Sequence, residues 1–138
     1  MEMRSTMRNA ICVIAMVISS INCSPSWRMT SGRDVAVERL YFGRNIRDSA
    51  FVSDSSWSVF LSEIVTPRFP NGFTVLNGEG QWKAEDGRII REKTFIIEKV
   101  HEISPAWDAA IQQIIAEYKK RFRQESVLRV TSLANASY

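Results

Sequence analysis

The chain has 138 residues, which is enough for one domain of ordinary size and too few for two. Apolar residues make up 45% of it and charged residues 24%, a composition that excludes a disordered or fibrous protein. The acidic and basic residues behind the net charge of +3 are mixed along the chain, so there is no basic stripe and nucleic acid is not an expected partner.

Residues 1–22 have the pattern of a secretory signal peptide. Arg4 and Arg8 form a positive start, an uncharged apolar run follows from Ala10 to Ile18, and two serines come after it. As a helix this run would span about 14 Å, against a hydrocarbon core of about 30 Å, so it is too short to cross a membrane stably. A buried N-terminal helix or strand is the alternative. The pattern favours a protein exported to a bacterial envelope.

Cys23 follows the predicted signal core, and it is the one cysteine that a processed chain would keep, because Cys12 lies inside the apolar run. A single cysteine forms no internal disulfide, and at this position it resembles the acylated first residue of a bacterial lipoprotein. Asn22 stands where that motif usually has glycine or alanine, and cleavage nearby without acylation is the alternative. We predict a lipid anchor at Cys23, a tether at residues 23–34, and a domain facing the periplasm or the cell exterior.

Residues 35–138 are predicted to form a single domain that begins with a strand and a helix. Apolar and polar residues alternate from Val35 to Arg44, which predicts the first strand. Ser53 is a good N-cap, and the apolar residues after it recur at helical spacing. Pro67 is predicted to end this helix.

The middle of the chain is predicted to form a β-hairpin. Its first strand begins at Phe73, is interrupted by a turn or bulge at residues 78–80, and resumes at Gln81 and Trp82. Residues 85–87, Glu-Asp-Gly, favour a tight turn. Residues 88–100 are therefore predicted to return as the antiparallel partner.

A second helix and a last strand complete the domain. Ser104 caps the helix and Pro105 follows at a position where its missing N–H costs nothing. One apolar stripe continues to Phe122, and basic residues crowd the last turns, where they complement the negative end of the helix. Residues 127–131 are predicted to be the last strand.

The predicted order is strand, helix, strand, strand, helix, strand. This is the ferredoxin-like βαββαβ pattern of the α+β class, in which two helices cover one face of a four-stranded antiparallel sheet. Each helix has one apolar stripe, so one sheet face suffices to bury both stripes. The other face is expected to stay open or to meet a partner.

Several phrases of the sequence resemble those of one bacterial family. They are ERLYFG at residues 38–43, VTPRFP at 65–70, TVL at 74–76, GQW at 80–82, RE at 91–92, YKKRF at 118–122 and QESVLRV at 124–130. This set is similar to Domain of Unknown Function 3574. The resemblance implies a small lipoprotein, in agreement with Cys23, and it implies no catalytic or ligand-binding residue.

Strand alternation indicates which side chains the open sheet face carries. If Leu40 faces the helices, Arg39 and Tyr41 face the other side. On the last strand, Arg129 is predicted to point outward between inward-facing apolar neighbours. The third strand allows either orientation. In one of them Glu92 lies on the open face beside the residues just named, and the second strand, with Gln81 and Trp82, borders this cluster. The predicted ligand-binding residues are Arg39, Tyr41, Gln81, Trp82, Glu92 and Arg129.

Three interpretations of this face remain open. Two arginines beside aromatic rings would suit a small anionic ligand such as a carboxylate. Alternatively, the face is solvated and carries cross-strand ion pairs, each worth about 0.2–1 kcal/mol. In the third, two copies pair through their sheets, as in dimeric α+β barrels, and enclose a pocket.

His101 is the only histidine of the sequence, so a multi-histidine metal site within one chain is excluded. We predict it to be a surface residue at a strand end, and no metal or cofactor is expected. The leading hypothesis is therefore a membrane-anchored domain that binds a small ligand or an envelope protein without catalysis. The alternative is a small enzyme of the dimeric α+β barrel type that acts on a ligand between paired sheets.

Overall fold

The computed structural model describes residues 31–46 and 50–137. Its four long strands are β1 Arg33–Gly43, β2 Thr74–Lys83, β3 Ile89–His101 and β4 Leu128–Ala136. They form one antiparallel sheet in the order β2-β3-β1-β4. With one helical segment between β1 and β2 and another between β3 and β4, this confirms the predicted ferredoxin-like arrangement. Cys23 and the predicted signal peptide lie outside the described residues.

The first helical segment, α1, begins where the sequence predicted and ends slightly later. It consists of an α-helix at Asp54–Phe60, a π-turn at Leu61–Val65 and an α-helical turn at Thr66–Arg68. The Oγ atom of the N-cap Ser53 accepts a hydrogen bond from the backbone N–H of Ser56. The helical segment does not end at Pro67 but continues to Arg68. Pro67 lies in the first positions of the short α-helical turn that follows the π-turn, where a missing backbone N–H costs little.

The predicted hairpin is present, but its first strand is not interrupted. β2 pairs with β3 in one unbroken register from Thr74 opposite Glu98 to Lys83 opposite Ile89. The turn or bulge predicted at residues 78–80 is therefore wrong. A Cβ atom at Gly78 would lie 3.1 Å from side-chain atoms of both Thr94 and Ile96, so this glycine makes room for its neighbours within a regular strand.

The second helix, α2, spans Pro105–Phe122 as predicted. The Ser104 side chain accepts a hydrogen bond from the N–H of Ala106, and Arg123 ends the helix in the left-handed conformation with φ of 52°. β4 is longer than the predicted strand, because it continues to Ala136 beside β1. No helix in the described ranges has the length and apolar character needed to span a membrane.

Both helical segments pack on the same face of the sheet. Trp57 of α1 stacks on Phe95 of β3 with ring centroids 4.4 Å apart, and Tyr118 of α2 meets Phe42 of β1 at 4.7 Å. Burying a side chain of this size stabilises the fold by roughly 1.5–3 kcal/mol. The buried apolar cluster consists of Leu40, Phe42, Val52, Trp57, Phe60, Val65, Phe69, Phe95, Ile97, Ile111, Ile114, Tyr118 and Phe122.

Candidate functional site

Neither helix packs on the sheet surface opposite to the core, and we call this surface the open face. Because directly paired residues share a face, it consists of the odd-numbered residues of β1 and the even-numbered residues of β2, β3 and β4. Arg39, Tyr41, Trp82 and Glu92 all lie on it. The orientation of β3 that the sequence left undecided is thus the one that turns Glu92 away from the helices.

A cleft of about 570 Å³ lies at one end of this surface, and we call it the open-face cleft. Its lining comes from β1, β2, β3, the start of β4 and the loop at residues 123–126 after α2. Three of the predicted ligand-binding residues, Tyr41, Trp82 and Glu92, line it together. The structure therefore brings half of the predicted set to one place.

Glycines make this end of the sheet concave. On the open face, Thr94 stands between Gly43 of β1 and Gly78 of β2, and Glu92 stands opposite Gly80. None of these three glycines adds a side chain above the backbone. The side chains of Thr94 and Glu92 therefore lie in a depression between two neighbouring strands.

Glu92 is held at the floor of the cleft by the backbone. Its Oε1 atom accepts a hydrogen bond of 2.8 Å from the N–H of Asn45. A Cβ atom at position 43 would lie 2.7 Å from this Oε1 atom and 3.1 Å from Oε2, so only glycine at position 43 leaves room for the carboxylate. Within the described ranges, Oε2 has no hydrogen-bond partner and Glu92 has no ion pair. One oxygen fixes the carboxylate, and the other can accept a bond from a ligand.

Core residues support the segment that holds Glu92. The hydroxyl of the buried Tyr118 donates a 2.9 Å hydrogen bond to the carbonyl oxygen of Gly43, directly beneath the cleft. Burial, with a smaller contribution from the Glu92 charge, raises the pKa of Tyr118 well above its ordinary value, so the phenol stays a neutral donor. The side-chain amide of Gln124 donates to the carbonyl of Asn45 at 2.6 Å and ties the loop after α2 to the same segment.

Aromatic and aliphatic side chains form the walls. Trp82 of β2 is 47% exposed and Leu128 of β4 is 60% exposed, while Tyr41 of β1 is half-buried. A flat apolar group that enters the cleft would lose water against these surfaces. The cleft therefore combines these apolar walls with polar side chains, among them Glu92, Arg123 and Glu125.

The predicted role of Arg129 on the open face is wrong. Arg129 pairs in register with Leu40, whose side chain faces the helices, so Arg129 points to the helix side. Its neighbours Leu128 and Val130, which were expected to point inward, lie on the open face, with Val130 38% exposed. The alternation of side chains defines the two faces of a strand but does not say which face packs against the helices. Here the Arg129 guanidinium lies on the helix side, where carboxylate oxygens of Glu38 and Asp108 accept its hydrogen bonds.

Two further predicted residues do not contribute to the cleft. Gln81 faces the helix side, where its side-chain oxygen accepts a hydrogen bond from Nε of Arg91, since neighbouring residues of a strand point to opposite faces. Arg39 is on the open face, but its Nε donates to Glu98 at 2.7 Å. The two-arginine cradle for an anion is therefore not assembled.

Arg129 belongs instead to a polar cluster on the helix side that sequence reasoning missed. Its guanidinium binds both oxygens of Glu38, at 2.9 and 2.8 Å, and also contacts Asp108 of α2. Glu38 is 2% exposed, and it also accepts a bond from the Thr131 hydroxyl. The Arg129 hydrogen bond lowers the pKa of Glu38 despite the opposing effect of burial. The alternation along β1 could have indicated this cluster, because Glu38 lies two positions from Leu40 and therefore on the same buried face.

His101 and Lys99 border this cluster. The His101 side chain is only 5% exposed and its Nε2 lies 3.8 Å from Oε1 of Glu38, so the predicted surface position of this histidine is wrong. The Nζ atom of the buried Lys99 donates to the carbonyl of Gly72 at 2.8 Å, and burial lowers the pKa of this lysine. Within the described part of the chain, no group of three or more His, Cys, Asp or Glu side chains is arranged to hold a metal ion.

Two solved structures of a phage SAM lyase have a similar fold. One is in complex with S-methyl-5'-thioadenosine, is 16% identical over 83% of this chain and 97% of its own, and gives a TM-score of 0.54. The other, in the apo state, is 17% identical over 80% of this chain and 94% of its own, also with a TM-score of 0.54. At such identities the likeness shows the fold alone.

Comparison at the level of families gives a match over most of the chain. The model described as "Protein of unknown function (DUF3574)" matches residues 37–138. This range includes the whole open-face cleft and both helices. No curated protein matches the chain.

Proposed function

The chain belongs to the DUF3574 family of proteins of unknown function, and from this premise we propose that its domain binds a small molecule in the open-face cleft. The observation that carries the proposal is the Glu92 carboxylate. It is fixed through one oxygen by the N–H of Asn45, and it lines a cleft whose walls include Tyr41 and Trp82. Ligand-binding clefts typically combine apolar and aromatic walls with a few polar groups in fixed positions.

The groups in the cleft indicate the chemistry of the ligand. A carboxylate accepts hydrogen bonds, so Glu92 favours a ligand with hydroxyl or amino groups or a positive charge. Trp82 and Tyr41 favour a planar or apolar part. The two arginines that the sequence predicted for a small anionic ligand, Arg39 and Arg129, are both paired with carboxylates of the same chain, and the arginine that lines the cleft is Arg123.

The fold comparison suggests a first compound to test. A phage SAM lyase of similar fold was solved with S-methyl-5'-thioadenosine. Such a thionucleoside has a planar ring and hydroxyl donors, which are the two features that the cleft favours. The comparison supplies the compound, and the chemistry of the cleft is the reason to test it, since an identity of 16% carries only the fold.

Isothermal titration calorimetry on the full chain tests the proposal. The probes are S-methyl-5'-thioadenosine, adenosine and, as an anion, citrate. We expect the nucleosides to bind, and we expect Glu92→Gln and Trp82→Ala each to weaken binding by about tenfold or more. Glu79→Gln is the matched control, because Glu79 is an exposed glutamate of β2 on the opposite face. Equal binding by all three variants, or binding of citrate alone, would contradict the proposal.

Catalysis on a related compound, SAM, is the second candidate function. The observation in its favour is again Glu92, because a carboxylate with one oxygen available can act as a general base. The test is incubation of the full chain with SAM, followed by chromatography for S-methyl-5'-thioadenosine. Product that disappears in Glu92→Gln supports catalysis. Binding without turnover leaves a binding domain.

We also infer that the domain acts at a bacterial envelope, anchored through a lipid on Cys23. The support comes from the sequence, in which this cysteine follows shortly after an uncharged apolar run. An anchor of this kind would leave residues 35–138 free to face the periplasm or the cell exterior. The ligand would then be a solute of that compartment.

A further inference from the structure

The open face carries more apolar surface than a solvated sheet requires. Leu76 and Trp82 of β2 are 45% and 47% exposed, and Leu128 and Val130 of β4 are 60% and 38% exposed. Ile96 of β3 lies half-buried between these two rows. An antiparallel sheet with one face in water normally shows polar side chains there. Contiguous apolar patches of more than a few hundred Å² are usual at interaction sites.

The charged pair in the middle of this surface does not oppose its burial, and Glu92, which has no ion pair in the described ranges, lies in the cleft at one end of the sheet. Arg39 and Glu98 pair with each other across β1 and β3 at 2.7 Å. Covering a charged group is most costly when its partner is missing. Here both partners would be covered together, so an apolar surface can approach without leaving either charge unpaired.

The dimensions of the surface suit a second copy of the same sheet. Four strands spaced about 4.8 Å apart and about ten residues long at roughly 3.3 Å per residue give a footprint of about 600 Å². A stable interface buries about 800 Å² of accessible surface per partner, and side chains add area to a flat footprint. Two sheets pack face to face at about 10 Å when both inner faces are apolar.

The distribution of the apolar residues is compatible with twofold symmetry. One row, Leu76 and Trp82, is on the edge strand β2, and the other row, Leu128 and Val130, is on the opposite edge strand β4. A twofold axis parallel to the strands lays Leu76 of one copy over Leu128 of the other, because both residues are level with Tyr41 in the sheet. We propose that a second copy of this chain covers the exposed part of the open face, sheet against sheet; Val35 and Val37, at the other end of β1, are already buried within one chain.

Sedimentation velocity of the full chain over a range of concentrations tests this pairing without any ligand. We expect the wild-type chain to form dimers, and we expect Val130→Glu to raise the concentration needed for dimers by at least about tenfold, because it buries a charge in the interface. Leu133→Glu is the matched control, because Leu133 is on the same strand, 76% exposed and on the other face. It should leave the dimer unchanged.

A second variant and a second readout keep the test decisive. Leu76→Glu changes the other edge row and should disrupt the dimer as Val130→Glu does. Circular dichroism checks that each variant is folded. A wild-type chain that stays monomeric at all concentrations overturns the proposal, and so does equal disruption by Leu133→Glu. A monomer in which acrylamide fails to quench Trp82, measured as the difference from Trp82→Phe, would show that another segment of the same chain covers the face, which also overturns it.

Discussion

Gly43 and Glu92 lie on neighbouring strands, and a Cβ atom at position 43 would come within 2.7 Å of the Glu92 carboxylate. The shape of the open-face cleft therefore depends on the absence of one side chain. The carboxylate occupies the space that a side chain would fill, and from there it reaches the N–H of Asn45. This relationship explains why the last residue of β1 is a glycine.

Gly43→Ala should displace the Glu92 carboxylate without unfolding the domain. The clash is with the end of a flexible side chain, so the main losses are one hydrogen bond and the orientation of the acceptor. We expect the free energy of unfolding to fall by about 1–2 kcal/mol and ligand binding to weaken by about tenfold. Urea denaturation and calorimetry measure the two effects.

A double-mutant cycle shows whether the Gly43→Ala effect passes through Glu92. In a Glu92→Ala background there is no carboxylate to displace, so Gly43→Ala should cost little further stability. An equal cost in both backgrounds would mean that position 43 acts on the strand itself. The coupling between the two residues would then be refuted.

Arg129 and Arg39 should differ sharply when each is replaced by alanine. Arg129→Ala leaves the carboxylate of Glu38 buried without its partner, and breaking a buried pair in this way costs about 3–5 kcal/mol. Arg39→Ala breaks a partly exposed pair with Glu98, which is worth about 0–1 kcal/mol. Urea denaturation tests which variant is less stable: if both have the same dependence of unfolding free energy on urea concentration, Arg129→Ala should have the lower midpoint.

A rescue variant keeps this comparison interpretable if Arg129→Ala fails to fold. Replacing both partners, as Glu38→Gln with Arg129→Leu, removes the uncompensated charge and should recover much of the lost stability. Similar midpoints for Arg39→Ala and Arg129→Ala would contradict the buried pair. They would favour the open-face position that the sequence suggested for Arg129.

Glu38 should make stability depend on pH in the acid range. Its hydrogen bond from Arg129 lowers its pKa in the folded state below the ordinary value of 4.5. The unfolded chain therefore binds this proton at a higher pH than the folded chain does. The resulting stability is present above the ordinary pKa and is lost as the pH falls through the lower folded pKa.

Thermal or urea unfolding measured between pH 6 and pH 3, roughly the range over which an ordinary glutamate titrates, tests the Glu38 effect. The charged or titratable neighbours that share its cluster are Arg129, Asp108, His101 and Lys99. We expect the free energy of unfolding to decline below about pH 4.5 and the decline to shrink in Glu38→Gln. Glu79→Gln, at an exposed position, should keep the wild-type slope. An unchanged slope in Glu38→Gln would remove this residue as the cause.

The order of elements could be predicted from the sequence because local signals define it. Ser53 and Ser104 cap the two helices as expected, and the apolar spacing after each one marks the face that packs on the sheet. Alternation around Leu40 correctly placed Arg39 and Tyr41 on the open face. Within the described residues, local periodicity thus sufficed for the fold and for part of the cleft.

The other features of the polar cluster and the cleft depend on how distant strands pair with one another, and local periodicity does not determine this pairing. Glu38 and Arg129 are 91 positions apart, and only the pairing of β1 with β4 brings them together. The interruption predicted at residues 78–80 failed because a glycine also serves to admit a neighbour's side chain. The Glu92 site depends in the same way on the pairing of β3 with both β1 and β2.

Replacing Cys23 should release the domain from membranes if this cysteine carries the anchor. Acyl chains contribute about 0.8 kcal/mol per buried methylene, so the several chains of a mature lipoprotein would hold a small domain on a membrane. Cys23→Ala should shift the protein from the membrane fraction to the soluble fraction and change its mass by the lost lipid. Cys12→Ala is the control, since Cys12 lies within the predicted leader and should not affect the anchor. Unchanged fractionation and mass in Cys23→Ala would mean that no lipid is attached there, and the ligand-binding proposal for the open-face cleft would stand without an envelope anchor.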